Sequence, residues 1–413
     1  MSQPNISAVP ELENKPNFTP RQEMLLIAFL SAVNFTHIMD FVIMMPLGPQ
    51  FFRVFNINTQ QFSIVVSSYT FAAAISGLIS SLFIDRYDRK RALLVLYAGF
   101  IVGTYLCALA PTFFLLVCAR VVAGAFGGVA GGLVMAIVGD VIPLARRGRA
   151  VGTVMAAFSI ASVVGVPIGL YFATSISWHA PFIGLACMGV VLLVIGMKTL
   201  PHLRGHLTKG VERNPIRELK AVITEPNHIR AFLLTSSLMF GGFSVIPFLS
   251  PFMVKNIGLR EDQLPLIYFF GGAATFFTSQ LIGRLADRFG KHRTFYVVAM
   301  ASMIPILLVT NLTPVPLWLV LCCSTLFMVL VSGRFVPAMA LITGSTTSAM
   351  RGGFMSVNSS VQQAAAGAAA AMAGMFLVQT GDGPIYRFGF VGILACAFTL
   401  LSMWLANRIE MRT

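Results

Sequence analysis

Charged side chains are scarce in this sequence, and their scarcity excludes a water-soluble fold. Of the 413 residues, 11% are charged and 56% are hydrophobic, whereas soluble domains carry roughly 25% charged residues. A soluble domain of this composition would expose far too much apolar surface. Cysteine is also sparse: all six cysteines lie in apolar stretches, and their positions indicate neither a disulfide framework nor a metal-binding spacing.

Several functional signatures are missing as well. The sequence has no Gly-x-x-x-x-Gly-Lys-Ser/Thr loop, which argues against an ATP-driven pump. Its apolar stretches hold no nucleophile–base–acid set and no metal triad, which argues against an integral membrane enzyme. The ~10-residue alternating segments of an outer-membrane barrel are absent too. His202 and His206 have i, i+4 spacing but no third ligand nearby, so we expect no metal site.

Long apolar runs fill most of the chain instead. Each run is about 20 residues long, enough to cross a ~30 Å hydrocarbon core. The sequence therefore predicts an all-α integral membrane protein with twelve transmembrane helices in two six-helix bundles. The predicted spans are 23–50, 61–84, 92–110, 112–140, 151–174, 180–199, 228–254, 263–285, 294–311, 317–344, 354–378 and 388–406.

The polar segments predict the domain boundaries and the topology. The predicted parts are a tail at 1–22, a bundle at 23–199, a connector at 200–227, a bundle at 228–406 and a tail at 407–413. The first tail contains Glu11 and Glu13, and it shows no cleavable signal peptide. With both tails inside, 23 of the 29 Lys and Arg lie in cytoplasmic segments and four lie outside. This asymmetry predicts a multi-pass inner-membrane protein with cytoplasmic termini.

The same charge distribution bears on partners. The net charge of +14 follows from the topology, so we expect no nucleic-acid partner. The expected partners are the lipid bilayer and a small-molecule substrate, and we expect a monomer without a cofactor, with protons as the coupling ion.

The two halves of the chain repeat one another. "SLFIDRYDRKR" (Ser81–Arg91) matches "GRLADRFGKHR" (Gly283–Arg293) at an offset of 202 residues. "RGRAVG" from residue 147 matches "RGGFMS" from residue 351 at an offset of 204, and Pro46 matches Pro247 at 201. Duplicated six-helix halves are typical of transporters, with the substrate site between the halves near the membrane midplane.

These motifs resemble the major facilitator superfamily, and most closely its twelve-span drug:proton antiporters. The resemblance covers about residues 23–406. The superfamily's loop motif is almost complete in the second half, as Gly283, Leu285, Ala286, Asp287, Arg288, Gly290 and Lys291. In the first half Ser81 and Asp88 stand where glycines are expected, and the charged residues that remain are Asp85, Arg86, Arg89 and Lys90.

The resemblance implies that this loop is a latch that holds the cytoplasmic face closed. It places Asp85 against span eleven and Asp287 against span five, where a carboxylate can lie at the positive end of a helix. Asp140, at the inner end of span four, is a candidate partner for Arg89. In the alternative interpretation these charges are solvated residues of a positively charged loop.

Asp40 and Arg120 are the candidate proton-coupling pair. Asp40 lies about ten residues from the outer end of span one and Arg120 about eight from that of span four, roughly 15 and 12 Å deep. Ionisable groups at such depth face a cavity or a partner, and the resemblance ties an arginine of span four to proton coupling. Their counterparts in the second half are Gly241 and Ser324, so these charges are not part of the repeated scaffold. A purely structural ion pair remains the alternative.

Other polar residues are candidates for the coupling path or the substrate cavity. Asn34 and His37 precede Asp40 at spacings of three, which predicts a polar stripe roughly along one side of span one. We expect Asn34 to line the cavity and His37 to relay a proton or to be a packing residue. We expect Asn358 and Gln362 of span eleven to face the substrate cavity, and hydrogen bonding to a neighbouring helix is the alternative.

Two further features belong to one half only. "GVPIG" in span five (Gly165, Pro167 and Gly169) resembles, with one altered position, the kink motif of the antiporters. Arg334 in span ten lacks an adjacent acid, and it either satisfies helix carbonyls or meets the substrate. One carboxylate and two guanidiniums near the midplane favour neutral, zwitterionic or anionic substrates over cations.

Taken together, these features predict a secondary transporter that exports small amphipathic compounds in exchange for protons. A proton-coupled uptake symporter for sugars or metabolites on the same scaffold is the alternative.

Overall fold

Helices that alternate in direction make up most of the part of the chain that the structure describes. The structure, a computed structural model, describes residues 19–204, 215–347, 350–379 and 383–412. The helices of spans one to six are Pro20–Ile43 with Gly48–Val54, Thr59–Ser81, Arg89–Leu109, Phe113–Val141, Leu144–Ile160 with Val166–Ser175, and His179–Thr199. Those of spans seven to twelve are Pro226–Phe243 with Leu249–Lys255, Leu264–Phe289, Lys291–Thr310, Leu317–Gly333 with Phe335–Gly344, Arg351–Phe376, and Phe388–Ala406.

Shorter elements join the spans. A π-helical segment, Ala161–Gly165, links the two helices of span five. Among the described residues, 3-10 turns lie at 84–86, 246–248 and 261–263, and the described part of the predicted connector includes the helix Pro215–Thr224. The strands Val378–Gln379 and Ile385–Tyr386 form a small antiparallel hairpin before span twelve.

Among the described residues, eleven spans are long and apolar enough to cross a membrane by themselves. An apolar helix suits this environment because it satisfies its own backbone hydrogen bonds. The remaining span, Arg351–Phe376, is 26 residues long and contains Asn358, Gln362 and Gln363. Its polar residues lower the mean hydropathy of this helix, but the helix is still long enough to cross a membrane.

Spans one and seven are interrupted at equivalent positions. The first helix of span one ends at Ile43 and its second begins at Gly48, with Pro46 between them. Span seven ends its first helix at Phe243 and passes through a 3-10 turn that contains Pro247. Proline has no N–H for the helical ladder, so each proline breaks its span.

A seam of small residues joins the two halves along spans two and eleven. The contacts recur every seven residues, about two helical turns. They pair Ser63 with Gly374, Thr70 with Gly367, and Gly77 with Ser360. A Cβ on Gly374 or Gly367 would lie 2.3 Å from the hydroxyl oxygen opposite, so the seam depends on the absence of side chains at these positions.

The hydrophobic core is shared by the halves at one face and divided at the other. We call the side with the ends of residues 20, 204, 215 and 406 the connector face, and the other side the opposite face. Near the opposite face a single cluster holds residues of both halves, such as Phe51 and Phe248. Near the connector face each half has its own cluster, one around Leu133 and one around Leu341. The structure is therefore in a conformation closed at the opposite face.

Candidate functional site

Asp40 and Arg120 form an ion pair inside the first bundle. Both side chains are 0% exposed, and Arg120 Nη1 lies 2.8 Å from Asp40 Oδ2. Nη1 also lies 3.4 Å from the backbone carbonyl oxygen of Asp40, and the Thr104 hydroxyl donates to Asp40 Oδ1 at 3.0 Å. The Asp40 carboxylate thus accepts hydrogen bonds from Thr104 of span three and from Arg120 of span four. The sequence correctly predicted that Asp40 and Arg120 lie at similar depths and can meet.

Tyr69 of span two completes this cluster, and sequence reasoning missed it. The Arg120 guanidinium carbon lies 4.3 Å from the centre of the Tyr69 ring, a cation–π distance. The Tyr69 hydroxyl and His37 Nδ1 are 3.2 Å apart. His37 therefore reaches the ion pair through the tyrosine. No spacing in the sequence signals Tyr69, because its role depends on how spans two and four pack.

The predicted polar stripe of span one spreads around the helix. Each step of three residues turns the helix by about 300°, so Asn34, His37 and Asp40 cover an arc of about 120°. Asn34 donates to the backbone carbonyl of Val154 in span five at 3.1 Å, whereas His37 faces span two and Asp40 faces spans three and four. Asn34 is buried, and the expectation that it lines the cavity is not met in this conformation.

A different hydrogen bond joins the corresponding helices of the second half. Thr235, at the counterpart of Asn34, donates to Asn358 Oδ1 at 2.7 Å, and Asn358 is the counterpart of Val154. Asn34 donates to a backbone carbonyl and Asn358 accepts through its side chain, but both bonds join neighbouring helices of one bundle. In this conformation Asn358 therefore makes an interhelical hydrogen bond, the alternative drawn from the sequence. Gln362 is half-buried.

The kink motif lies between the ion pair and the second half. The π-helical segment Ala161–Gly165 ends two residues before Pro167, and such π-bulges often bend helices at functional sites. A Cβ on Gly165 would lie 2.7 Å from Met39 Sδ, and one on Gly169 would lie 2.8 Å from Ile43. The glycines therefore hold residues that flank Asp40 on span one.

The π-helical segment also touches span eight of the second bundle. A Cβ on Gly272 would lie 2.9 Å from the backbone of Ser162. The kink thus contacts span one on one side and the other half on its other side.

Comparison with known proteins agrees with this arrangement of two related halves. The family model described as the Major Facilitator Superfamily matches residues 30–273 and 231–411. The chain belongs to this superfamily. The predicted fold class, an all-α membrane protein with twelve helices in two bundles, is confirmed.

The chain is similar to several named members of the superfamily. It is 27% identical over 257 residues to the uncharacterized MFS-type transporter YceJ of Bacillus subtilis, and the aligned region covers 62% of this chain and 65% of YceJ. It is 24% identical to the "Probable sugar efflux transporter" of Helicobacter pylori strain P12 over 61% of this chain and 63% of that one. A solved D-xylose–proton symporter has a TM-score of 0.76 at 17% identity, and the match covers 94% of this chain and 98% of the symporter. The family and the fold are those of transporters, and the match spans less than two thirds of the length of the two curated relatives.

The first copy of the superfamily's loop motif forms a local charge cluster. Arg89 is buried and lies 2.8 Å from Asp85 and 2.9 Å from Asp140, so the structure brings Arg89 and Asp140 together as expected. Asp85 and Arg86 are exposed. Within the described ranges Asp85 pairs with Arg89, and no hydrogen bond or ion pair joins it to span eleven.

The second copy makes no ion pair with the part of the chain that the structure describes. Asp287 is exposed and has no polar partner within the described ranges, so its predicted contact with span five is not made here. Arg288 lies over the Phe289 ring at 5.3 Å. Gly283 is half-buried and has ordinary packing distances. A latch that closes the connector face is not expected to be engaged while the opposite face is the closed one.

The structure explains why the two copies differ at one glycine. Gly290 has φ +90°, which favours glycine, whereas its counterpart Asp88 has φ −56° and needs none. The Asp88 carboxylate accepts from the backbone N–H of Lys90 and Leu203 and lies 2.7 Å from His202. Burial acts to raise the pKa of Asp88, but these bonds and one from Arg204 outweigh it and lower the pKa to about 2. Asp88 thus anchors the start of the connector.

Arg334 is buried in the second bundle, away from any acid of the described chain. It is 0% exposed, and its Nη1 donates to the hydroxyls of Thr399 at 2.7 Å and Ser302 at 3.4 Å. Its Nε and Nη2 have no hydrogen-bond partner. Of the two alternatives drawn from the sequence, bonding to helix carbonyls is not what the structure contains.

Proposed function

We propose that this superfamily transporter is a proton-coupled antiporter that exports small amphipathic organic compounds, such as drugs or metabolites, by alternating access. The observation that carries this proposal is the fully buried Asp40–Arg120 pair, which occurs in one half only. A buried carboxylate that binds a proton loses its Coulombic attraction to the guanidinium, an interaction that is strong where the effective dielectric is low. Protonation therefore changes the contact between spans one and four.

The packing around Asp40 supports a mechanical link to the rocking of the halves. Met39 and Ile43 lie against Gly165 and Gly169 of span five. The π-helical segment of span five lies in turn against Gly272 of the other bundle. When proton binding shifts span one, the π-helical segment transmits that shift to the contact between the two halves. His37, bonded to Tyr69, is the proposed route by which the proton arrives.

We infer that the connector face is cytoplasmic and that the protein acts as a monomer in the inner membrane, without a cofactor. The excess of Lys and Arg on that face supports this orientation. The proton is the only coupling species that the buried acid requires.

Transport by everted membrane vesicles tests both the coupling and its direction. An acidic vesicle interior should drive accumulation of a substrate that has first been selected by its thermal shift on the purified protein. Under the same gradient a symporter would deplete the vesicles of that substrate. Transport that ignores the pH gradient in both directions would contradict proton coupling.

A salt bridge at the opposite face offers a test of alternating access. Arg53, at the end of span one, pairs with Glu261, at the start of span eight, with a second contact of 3.1 Å between Nη2 and Oε2. Exposed pairs contribute about 1 kcal/mol or less, so Glu261→Gln should open this face about two- to fivefold more often. Labelling of Gln50→Cys by an impermeant maleimide, in a protein without its native cysteines, should accelerate by that factor. The matched control is Asp262→Asn, because Asp262 pairs with Arg260 of the same loop and bridges no halves.

Asp287→Asn should produce the reverse change in the same assay. If Asp287 latches the connector face when the opposite face opens, its loss disfavours the open form. Labelling of Gln50→Cys should then slow, and transport should fall while the amount of membrane-inserted protein stays unchanged. Faster labelling, or wild-type transport by a well-expressed variant, would contradict the latch.

A further inference from the structure

Three stacked aromatic rings lead from the buried ion pair to the other half of the molecule. The Arg120 guanidinium carbon lies 4.3 Å from the centre of the Tyr69 ring. The centre of the Phe41 ring lies 5.4 Å from that of Tyr69 and 5.9 Å from that of Phe243, and both pairs are stacked. These are ordinary distances for offset-stacked aromatic rings. Because Phe243 belongs to span seven, this ring stack of Tyr69, Phe41 and Phe243 connects the ion pair of one half with the second half.

Tyr69 is tightly packed at the end of the ring stack that touches the ion pair. It is 0% exposed, and a Cβ on Gly124 of span four would overlap its backbone oxygen. A Cβ on Gly127, one turn later, would lie 2.8 Å from its hydroxyl. Small residues permit this close approach of spans two and four. The Tyr69 ring therefore has little room of its own, and a displacement of the Arg120 guanidinium must displace the ring.

The contact between Phe41 and Phe243 is one of two ring contacts that join the halves among the described residues. The other pairs Phe62 of span two with Phe248, at the break in span seven, with ring centres 6.0 Å apart. Both contacts belong to the core cluster near the opposite face, so both help to hold that face closed. Phe62 has its other ring contact with Phe52 of span one, and only the first contact leads through the ring stack to the ion pair.

We propose that Phe41 and Phe243 are positioning residues that couple protonation of Asp40 to closure of the opposite face. This role rests on the proposed function and adds the contact through which Asp40 acts on the second half. In the structure the ion pair is intact and the opposite face is closed. A proton on Asp40 removes the charge that holds the Arg120 guanidinium, which then interacts more strongly with the face of the Tyr69 ring. The ring follows the guanidinium, its stack on Phe41 weakens, and the opposite face opens.

Titratable and charged groups from four spans surround Asp40. They are Arg120 of span four, Cys107 of span three, Tyr69 of span two and His37 of span one itself. Asp40→Asn removes only the carboxylate from this set. A comparison of proteins with and without Asp40→Asn therefore isolates the effect of protonating Asp40.

The test measures how pH changes the labelling of Gln50→Cys at the opposite face, in purified protein without native cysteines and without substrate. Each rate is divided by the rate of the same protein with Asp40→Asn added, at the same pH. This ratio cancels the titration of the thiol itself and of Glu261, which lines the same cavity as Gln50. In the parent protein the ratio should be at least about twofold higher near pH 5.5 than near pH 8, since protonated Asp40 favours the open form.

Phe243→Leu should uncouple the face from Asp40. It removes the ring contact between the halves, so labelling should be about two- to tenfold faster than in the parent protein. The ratio to the matching protein with Asp40→Asn should be the same at both pH values. Phe41→Leu should give the same result from the other side of the contact, and either variant decides if the other does not fold.

Two further leucine variants are matched controls. Phe248→Leu also removes a ring contact between the halves, so it should accelerate labelling, but it should keep the pH dependence of the parent ratio. Phe240, one turn before Phe243, has its ring contact with Phe398 of the same half at 4.6 Å. Phe240→Leu should therefore change neither the rate nor its pH dependence.

The outcomes separate this proposal from the proposed function. If Phe243→Leu and Phe41→Leu keep the pH dependence of the parent ratio, the ring stack does not couple the halves, and proton coupling through Asp40 stands. If Phe248→Leu loses the pH dependence as well, any weakened contact between the halves has this effect, which contradicts a specific role of the ring stack. A parent ratio that is equal at both pH values would overturn coupling through Asp40 and this proposal with it.

Discussion

Asp40→Asn is expected to abolish accumulation of substrate against its gradient while substrate binding persists. Asparagine imitates the protonated carboxyl group: its oxygen can accept from Arg120 Nη1 and its amide can donate to the Thr104 hydroxyl. The hydrogen bonds that now hold Asp40 at 2.8 and 3.0 Å can therefore persist, although Arg120 loses its counter-charge and the Tm of this variant should fall. The variant cannot release a proton, so pH-driven accumulation in everted vesicles should fall to the level of vesicles without the protein.

Two controls make this result specific. Exchange of labelled for unlabelled substrate without a gradient should continue, because it needs the conformational change but no net proton movement. Asp262→Asn, which neutralises an exposed acid at the opposite face, should retain pH-driven accumulation. If Asp40→Asn protein concentrates substrate with the wild-type dependence on ΔpH, Asp40 is not the coupling group, and His37 becomes the next residue to test.

Arg120→Gln is expected to impair folding as well as coupling. It leaves the Asp40 carboxylate buried at 0% exposure without its cation, and breaking a buried pair in this way destabilises a protein by about 3–5 kcal/mol. The loss should appear as a lower Tm and a smaller yield of monodisperse protein in detergent. Tyr69 would also lose its cation–π contact, which contributes in the same direction.

The double variant Asp40→Asn/Arg120→Gln separates folding from coupling. Removing both charges leaves no uncompensated ion, so its Tm should recover most of the loss seen for Arg120→Gln alone. Accumulation against a gradient should remain absent, since no titratable group is left in the pair. If the effects of the two single changes on Tm simply add, the pair does not interact, and a coupling role for it is contradicted.

Features that depend on local composition were predictable from the sequence. The twelve spans follow from apolar runs long enough to cross a bilayer, and the division into halves follows from repeated motifs such as Asp85 and Asp287. Pro46 and Pro247 mark the breaks in spans one and seven, since proline acts within its own helix. The Asp40–Arg120 pair was also predictable, because depth in the membrane can be counted along each helix from its end.

Features that depend on the rotation and packing of helices were decided only by the tertiary structure. Asn34 and Asn358 looked like cavity residues, but their side chains bond Val154 and Thr235. Tyr69 and Thr104 gave no signal, although both touch the ion pair. Periodicity places a residue on a helix face, but it does not say which neighbouring helix that face meets.

The contacts of the loop motif and of the Arg53–Glu261 salt bridge could not be predicted from the sequence either. Asp88 departs from the loop motif for a reason visible only in its φ of −56° and its bonds to the connector. Arg53 and Glu261 are 208 residues apart, and they meet only because the halves close at one face. The unpartnered Arg334 could be seen in the sequence as a charge without a nearby acid. That its guanidinium packs against Gly241 follows from how spans seven and ten pack, because contacts between distant segments depend on the geometry of the whole bundle and not on sequence spacing.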